Sequence, residues 1–347
     1  LLTILSFIFV FTLITLAHEG GHLFFAKING IRVYEFGLGF GPTIFQYRKN
    51  QTVYKLNLLP ILGYVKIAGI DTEDPAEAAT PAAEKYYNKG PIARFFSILG
   101  GPLCNLVIGF VIFFLLFSLI GVPTGLSKEI ATISPNSPAA KAGIMAGDIL
   151  YSLNGISIAS PEKAIYFIHN NAEKSMSLSV LRAGKTMTFS VTPKLNKRLK
   201  VGLLGFSLQP VYQKVNPLAA AKKALGATWG LTALTAVIIG KLFVGQIGLG
   251  ELAGPVGIAQ ITGQYASSGL VSILSFIAFF SINVAVLNLV PLPALDGGRL
   301  FFVLLGAITR RPLNIEAENK IHAVGMTLLL AFIAVLTAND LWRIFKP

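Results

Sequence analysis

Two imidazoles and a carboxylate fall within five residues, His18-Glu19-Gly20-Gly21-His22, directly after the uncharged apolar run Leu1 to Ala17. On an α-helix, residues four apart share a face and lie about 6 Å apart along the axis, so both imidazoles reach one metal ion. Glu19 is turned off that line, where it takes a proton from a metal-held water without being a ligand. Ionisable groups inside a membrane span cost about 2.5–3.5 kcal/mol each, so a cluster in such a run marks a functional site rather than a decorated helix end.

A catalytic zinc site has three protein ligands and one open position. The two other histidines are His169, in a polar middle region, and His322, at the edge of a late apolar segment, so an acid is the better third ligand. Asp296 stands in Asn288-Leu-Val-Pro-Leu-Pro-Ala-Leu-Asp-Gly-Gly-Arg299, at the end of an apolar stretch beginning near Val271. A carboxylate there is as costly as the first cluster, and the same metal is its natural partner. The ligand types favour Zn²⁺, although the same donors accept other divalent ions.

The elements that must bring these groups together are membrane spans. The chain of 347 residues is 53% hydrophobic and only 13% charged, with a mean hydropathy of +0.66, beyond an ordinary soluble domain. About 20 apolar residues cross a bilayer, and segments near 1–25, 95–122, 271–294 and 321–338 qualify. The first lacks a basic n-region and a small-residue cleavage site, so it is expected to stay rather than be removed as a signal peptide. A fifth segment, 224–245, holds Lys241 and several glycines beside Lys222 and Lys223, and is assigned as an interfacial amphipathic helix. Pro291 and Pro293 break the third span ahead of Asp296. The single cysteine, Cys104, excludes an intrachain disulfide.

The formal charge of +13 lacks the basic-aromatic patterning of a nucleic-acid binder and is read as membrane-surface charge. Lys27 and Arg32 follow the first span, and Arg299, Arg310 and Arg311 follow the third, which places both ends on the cytoplasmic side. Residues 123–223 and the C-terminus then lie outside, despite thirteen Lys/Arg against four acids in that region, because long domains cross largely regardless of charge.

Between the first two spans, Thr52-Val-Tyr-Lys-Leu-Asn57 and Tyr64-Val-Lys-Ile67 alternate and predict a small β-structure with an edge able to pair with an extended chain. Asp71 to Glu84, acidic and rich in Ala and Pro, is expected to be a flexible linker. Ile130 to Gly143 and Gly147 to Gly155 predict strand, short helix, turn and strand.

Taken together, HEGGH on a first span, Gly100-Gly-Pro-Leu-Cys-Asn105 opening a second, and Asn288-x-x-Pro-x-Pro-x-Leu-Asp-Gly-Gly298 on a third resemble the site-2 protease family of intramembrane zinc metalloproteases. Gly63 to Gly69 and Leu252 to Ala259 also resemble its PDZ-containing bacterial branch, the regulator of sigma-E protease type of peptidase family M50, and the likeness covers essentially the whole chain.

The resemblance implies a polytopic α-helical membrane protein with about four transmembrane helices, a membrane-associated β-loop and one inserted α+β PDZ domain. The expected segments are helix 1 with HEGGH at 1–26, the cytoplasmic-side β-loop and linker at 27–91, helix 2 at 92–122 and the PDZ domain at 123–200. They continue with post-PDZ interfacial helices at 201–268, helix 3 with the Leu-Asp-Gly motif at 269–300, and helix 4 with the C-terminus at 301–347. The implied setting is the bacterial cytoplasmic membrane with the PDZ domain outside.

The implied reaction is cleavage of a peptide bond within transmembrane segments of single-pass proteins, of the anti-sigma factor or remnant signal peptide type, with a peptide or C-terminus engaged at the PDZ domain. His18, His22 and Asp296 would hold Zn²⁺ and Glu19 would act as acid and base. The amides of Asn105 and Asn288 supply donors and an acceptor for unwound substrate backbone or a developing oxyanion, or else bond helix to helix. The rival reading, a non-proteolytic metal-binding scaffold or transporter with a PDZ recruitment domain, leaves Glu19 without a purpose, and a transporter's internal repeats are missing from the sequence.

Overall fold

α1 (Leu2–Ile28) runs 27 residues without a proline and ends where Asn29 and Gly30, the latter at φ +65°, turn the chain. The computed structural model describes residues 1–70, 74–196, 200–248, 252–310 and 314–345; Asp71 and Arg311, named above, lie outside the described residues. β1 (Val33–Lys49) and β2 (Thr52–Ile67) pair antiparallel and fold back on themselves: Glu35 to Leu38 pair both with Lys66 to Gly63 and with Val53 to Leu56, so the turn at Asn50 (φ +55°) returns to the base, where Thr52 donates to the Val33 carbonyl. The base is buried through Val33 and Ile67, while Ile44, Phe45 and Leu58 are exposed towards the tip, the opposite bend, where Phe40 pairs with Leu59 and Thr43 with Asn57. β2 packs on α1, and the hydroxyl of Thr12 donates to the Pro60 carbonyl.

The expected flexible linker is a tethered segment over its described residues. Glu77 accepts from the Tyr34 hydroxyl (2.7 Å) and the Gly69 amide (3.1 Å) and pairs with Lys85 (3.0 Å), while Arg32 pairs with Glu84 (2.6 Å). Its acidic residues are hydrogen-bond acceptors for the base of the hairpin, which composition alone hid. Tyr86 follows, fully buried beside Ile98 and Val303.

α2 (Pro91–Leu119) runs antiparallel to α1: Gly100 meets Gly21, while Ile112 packs near Val10 and Ile14.

Residues Phe117–Ala220 form a unit of their own. It contains β3 (Val122–Ile133), α3 (Pro138–Ala142), β4 (Ile149–Leu153), β5 (Ile156–Ser157), α4 (Pro161–Asn170), β6 (Met176–Arg182), β7 (Lys185–Val191), β8 (Lys194–Asn196), β9 (Val201–Leu203) and β10 (Phe206–Gln213). The main sheet runs β10-β3-β4-β6-β7, all neighbours antiparallel, with β5 against β4. Ile130, Leu150, Leu178 and Val180 fill its core. Ser137 and Ser160 cap the two helices through the amides of Ala140 and Lys163. The unit outruns the expected 123–200 boundary because β10 completes the sheet against β3. His169 lies half-buried on α4, remote in sequence and in unit from the other histidines.

The remaining helices are α5 (Pro217–Phe243), α6 (Pro255–Ser267), α7 (Leu270–Asn288), α8 (Asp296–Thr309) and α9 (Ile315–Phe345). α7 lies parallel to α1: Phe276 and Ile277 pack with Val10 and Ile14, and Ser281 donates to the Asn105 carbonyl (2.9 Å). α9 is antiparallel to α7, its first turns beside Ala294 and its Asp340 accepting from the Gly257 amide (2.8 Å) of α6.

Five described helices, α1, α2, α5, α7 and α9, are long and apolar enough by length and composition to cross a membrane, the four expected spans and α5. The 224–245 segment belongs to the 27-residue α5, because Lys241 sits at its end and its glycines weaken a helix without breaking it. The expected third span, 269–300, carries the break that its prolines predict. α7 stops at Asn288, and α8 starts at Asp296 after a turn containing Pro291 and Pro293, since proline at either place removes a helical N–H.

Candidate metal centre

α1 delivers His18 and His22 on one face, and the turn after α7 delivers Asp296 as the first residue of α8. Asp296 Oδ2 lies 3.0 Å from His18 Nε2 and 3.4 Å from His22 Nε2, and the two Nε2 atoms are 3.3 Å apart. A tetrahedral ion with bonds of about 2.0–2.1 Å spaces its ligand atoms by about 3.3–3.4 Å, so this triangle has zinc dimensions.

The tautomers agree. His22 Nδ1 lies 3.0 Å from the Ser97 carbonyl of α2, so it carries the proton and donates, leaving a lone pair on Nε2. His18 Nδ1 lies 3.3 Å from the Asn105 amide group, whose Oδ1 has no partner among the described residues. Exchanging the nearly isoelectronic amide N and O lets His18 Nδ1–H donate to Oδ1 and frees Nε2 in the same way. Three lone pairs then converge on one point, and Asp296 Oδ2 finds no hydrogen-bond donor there among the described residues. The donor set fits Zn²⁺.

Close helix approach makes this possible. A Cβ at Gly21 would lie 2.1 Å from the Gly100 carbonyl oxygen, so α1 and α2 meet backbone to backbone. On the other side, Gly297 and Gly298 let the carbonyls of Leu289, Val290 and Leu292 lie against the first turn of α8.

The three groups open onto a cavity of about 520 Å³ that is also lined by Glu19, Thr15, Gly63, Asn288 and Arg299. The cavity therefore gathers His18, Glu19, His22, Asp296 and Asn288. Asn105 does not line it: its side chain is wholly buried behind His18. Sequence reasoning missed the Ser97 carbonyl, a backbone role that no residue type announces, and Arg299, which it had used only as a topological charge.

Peptidase family M50 matches residues 6–332. The regulator of sigma-W protease RasP of Bacillus subtilis is 31% identical, over 99% of this chain and 99% of its own. The zinc metalloprotease RasP of Geobacillus kaustophilus is 30% identical, over 99% of this chain and 98% of its own. The PDZ domain of an SdrC-like protein from Listeria innocua aligns over 24% of this chain and 93% of its own at 18% identity, with a TM-score of 0.22, too slight to fix the fold of the part it covers. A multi-pass membrane metalloprotease using zinc is the result, and the chain belongs to peptidase family M50, the site-2 proteases.

Proposed function

We propose that His18, His22 and Asp296 hold Zn²⁺ and that Glu19 serves as acid and base in hydrolysing a peptide bond within the transmembrane segment of a single-pass membrane protein. The observation that carries this reading is the 3.0–3.4 Å triangle of ligand atoms facing a cavity that also receives Glu19. Bound zinc supplies Lewis acidity towards water and carbonyl. Glu19 takes the proton of the attacking water and passes it to the departing amide nitrogen, so that one C–N bond breaks as one C–O bond forms. Asn288, at the end of α7 and on the cavity wall, hydrogen-bonds the unwound substrate backbone. Asn105 is too buried to touch substrate and instead orients His18.

A substrate helix must unwind before its carbonyl is reachable, and an extended segment pairs with a free backbone edge. β2 lies over α1 at Thr12 and Thr15, and its Gly63 is packed against Thr15 and Glu19, which brings a strand beside the catalytic residue. The sigma-W regulator named among the relatives supports a substrate of the anti-sigma factor type. The 117–220 unit acts as a PDZ-like module on the outer side, binding a peptide or a C-terminus.

Parity supports four crossings. α1 and α7 are parallel and α2 antiparallel, so an even number of crossings separates α2 from α7. α6, of 13 residues, spans only about 20 Å and cannot supply a return for α5. α5 therefore lies against the bundle, where Thr235 donates to Asn283 (2.9 Å).

The test uses detergent-purified wild type and Glu19→Gln with a tagged single-pass substrate and metal analysis of both. Wild type cuts within the span and is stopped by chelation, and Glu19→Gln keeps zinc without cutting. Cleavage by Glu19→Gln at the wild-type rate would end this assignment.

A further inference from the structure

α9 is patterned inside out. Over its first four turns Ile321, Val324 and Leu328 are exposed, and the buried side chains are Glu318, at 2% exposure, and His322, at 8%. With Gly325 these form one stripe at spacings of four and three residues, directed at the segment that carries Asp296. Downstream of Asp296, Glu318 pairs with Arg299 (3.6 Å), which reaches the Tyr87 hydroxyl (3.4 Å). Upstream, His322 Nδ1 accepts from the Ala294 amide (3.1 Å).

Ala294 sits at φ +78°, a backbone state costly for a residue with a Cβ, two positions before the carboxylate. Pro293 leans into Gly325, where an added Cβ would lie 2.3 Å from the proline Cβ. Strain of this kind persists only where surrounding contacts hold it; the Leu295 amide bonds the Leu292 carbonyl (3.2 Å) within the turn, and His322 and Gly325 are the contacts that α9 adds.

We propose that His322 is a positioning residue for the metal site, holding the Pro293–Ala294 turn so that Asp296 Oδ2 stands at the ligand position, with Gly325 as the notch that receives the turn. This rests on the zinc assignment above. His322 is not itself a ligand: its Nδ1 is engaged by the Ala294 amide and it lies outside the triangle.

The test is metal affinity of the full-length protein in detergent, by chelator competition, together with the visible absorption of the cobalt(II)-loaded form, which reports ligand geometry. His322→Leu removes the acceptor. His322→Asn restores one, because its Oδ1 falls where Nδ1 stood. Gly325→Ala displaces the turn with His322 intact, and Val324→Ala, on the exposed face, controls for helix changes.

His322→Leu and Gly325→Ala are expected to weaken metal binding about tenfold to a hundredfold and to shift the cobalt bands, the range seen when a group supporting a ligand is lost. His322→Asn returns to within a few-fold of wild type, and Val324→Ala matches it. Wild-type affinity and spectrum in folded His322→Leu overturn the proposal, as does His322→Asn behaving like His322→Leu. If His322→Leu does not fold, Gly325→Ala decides by the same two readouts. Asp296→Asn separates the two levels: retention of full metal affinity there overturns the zinc assignment, whereas its loss beside intact binding in His322→Leu overturns only the role of His322.

Discussion

Gly101 of α2 faces His22 of α1 so closely that a Cβ on Gly101 would lie 2.3 Å from Nε2 and 2.9 Å from His18 Cε1. The metal site thus uses the absence of a side chain on one helix to seat two rings of another. Gly101→Ala is expected to lower activity and metal affinity on the order of a hundredfold, since the rings cannot retreat without leaving the ligand position.

The two glycines inside HEGGH should respond oppositely. Gly20 has nothing within 4 Å of an added Cβ, whereas at Gly21 it would meet the Gly100 carbonyl. Gly20→Ala is expected to cleave at the wild-type rate and to gain up to about 1 kcal/mol from helix propensity. Gly21→Ala should lose both cleavage and thermal stability, measured by substrate assay and melting in detergent.

If Asn105 orients His18, then Asn105→Ala lowers kcat by about tenfold to a hundredfold and weakens zinc binding while leaving KM near wild type. A residue holding substrate backbone would instead raise KM with metal binding unchanged, so the split between the two constants decides.

The exposed hairpin tip carries Ile44, Phe45 and Leu58, a patch suited to lipid. In vesicles, a tryptophan introduced as Phe45→Trp should be quenched by brominated acyl chains. An unquenched, red-shifted emission would place the tip in water.

Acid should loosen the 117–220 unit through one ion pair. Arg182 grips the buried Asp148 carboxylate with two bonds of 2.7 Å, and the Met145 amide adds a third, holding Asp148 below the usual carboxylate range against the opposing effect of burial. The folded state therefore binds this proton more weakly than the unfolded chain, whose aspartate titrates near about 3.9. The stabilisation is complete well above that value and drains away as pH falls towards the folded value. Calorimetry between pH 6 and pH 3 should show a steeper loss of Tm in wild type than in Asp148→Asn.

How much of this was legible in the chain follows from what each role requires of a residue type. His18 and His22 were marked by their spacing of four, and they and Asp296 by the cost of polar groups in apolar runs. Pro291 and Pro293 announced the break that became the turn into α8. Ser97 acts through its carbonyl, which every residue owns, and Asn105 touches the site from behind, which spacing does not distinguish from touching substrate. Glu77 and Glu84 looked like solvated charge because their partners, Tyr34, Arg32 and the Gly69 amide, lie far along the chain or in the backbone. α5 is long and apolar enough for a span, and those two properties do not separate a crossing from a helix lying against the bundle.

The metal site is assembled from the two ends of the chain, with His18 and His22 in the first helix and Asp296 and its α9 support near the last. During synthesis the first helix emerges from the ribosome long before the residues that complete the ligand set. A half-made chain beside freshly inserted neighbours, themselves single spans at that moment, thus holds two imidazoles and no cutting centre. On the proposed ligand set, the order of the sequence withholds proteolysis until Asp296 has been made.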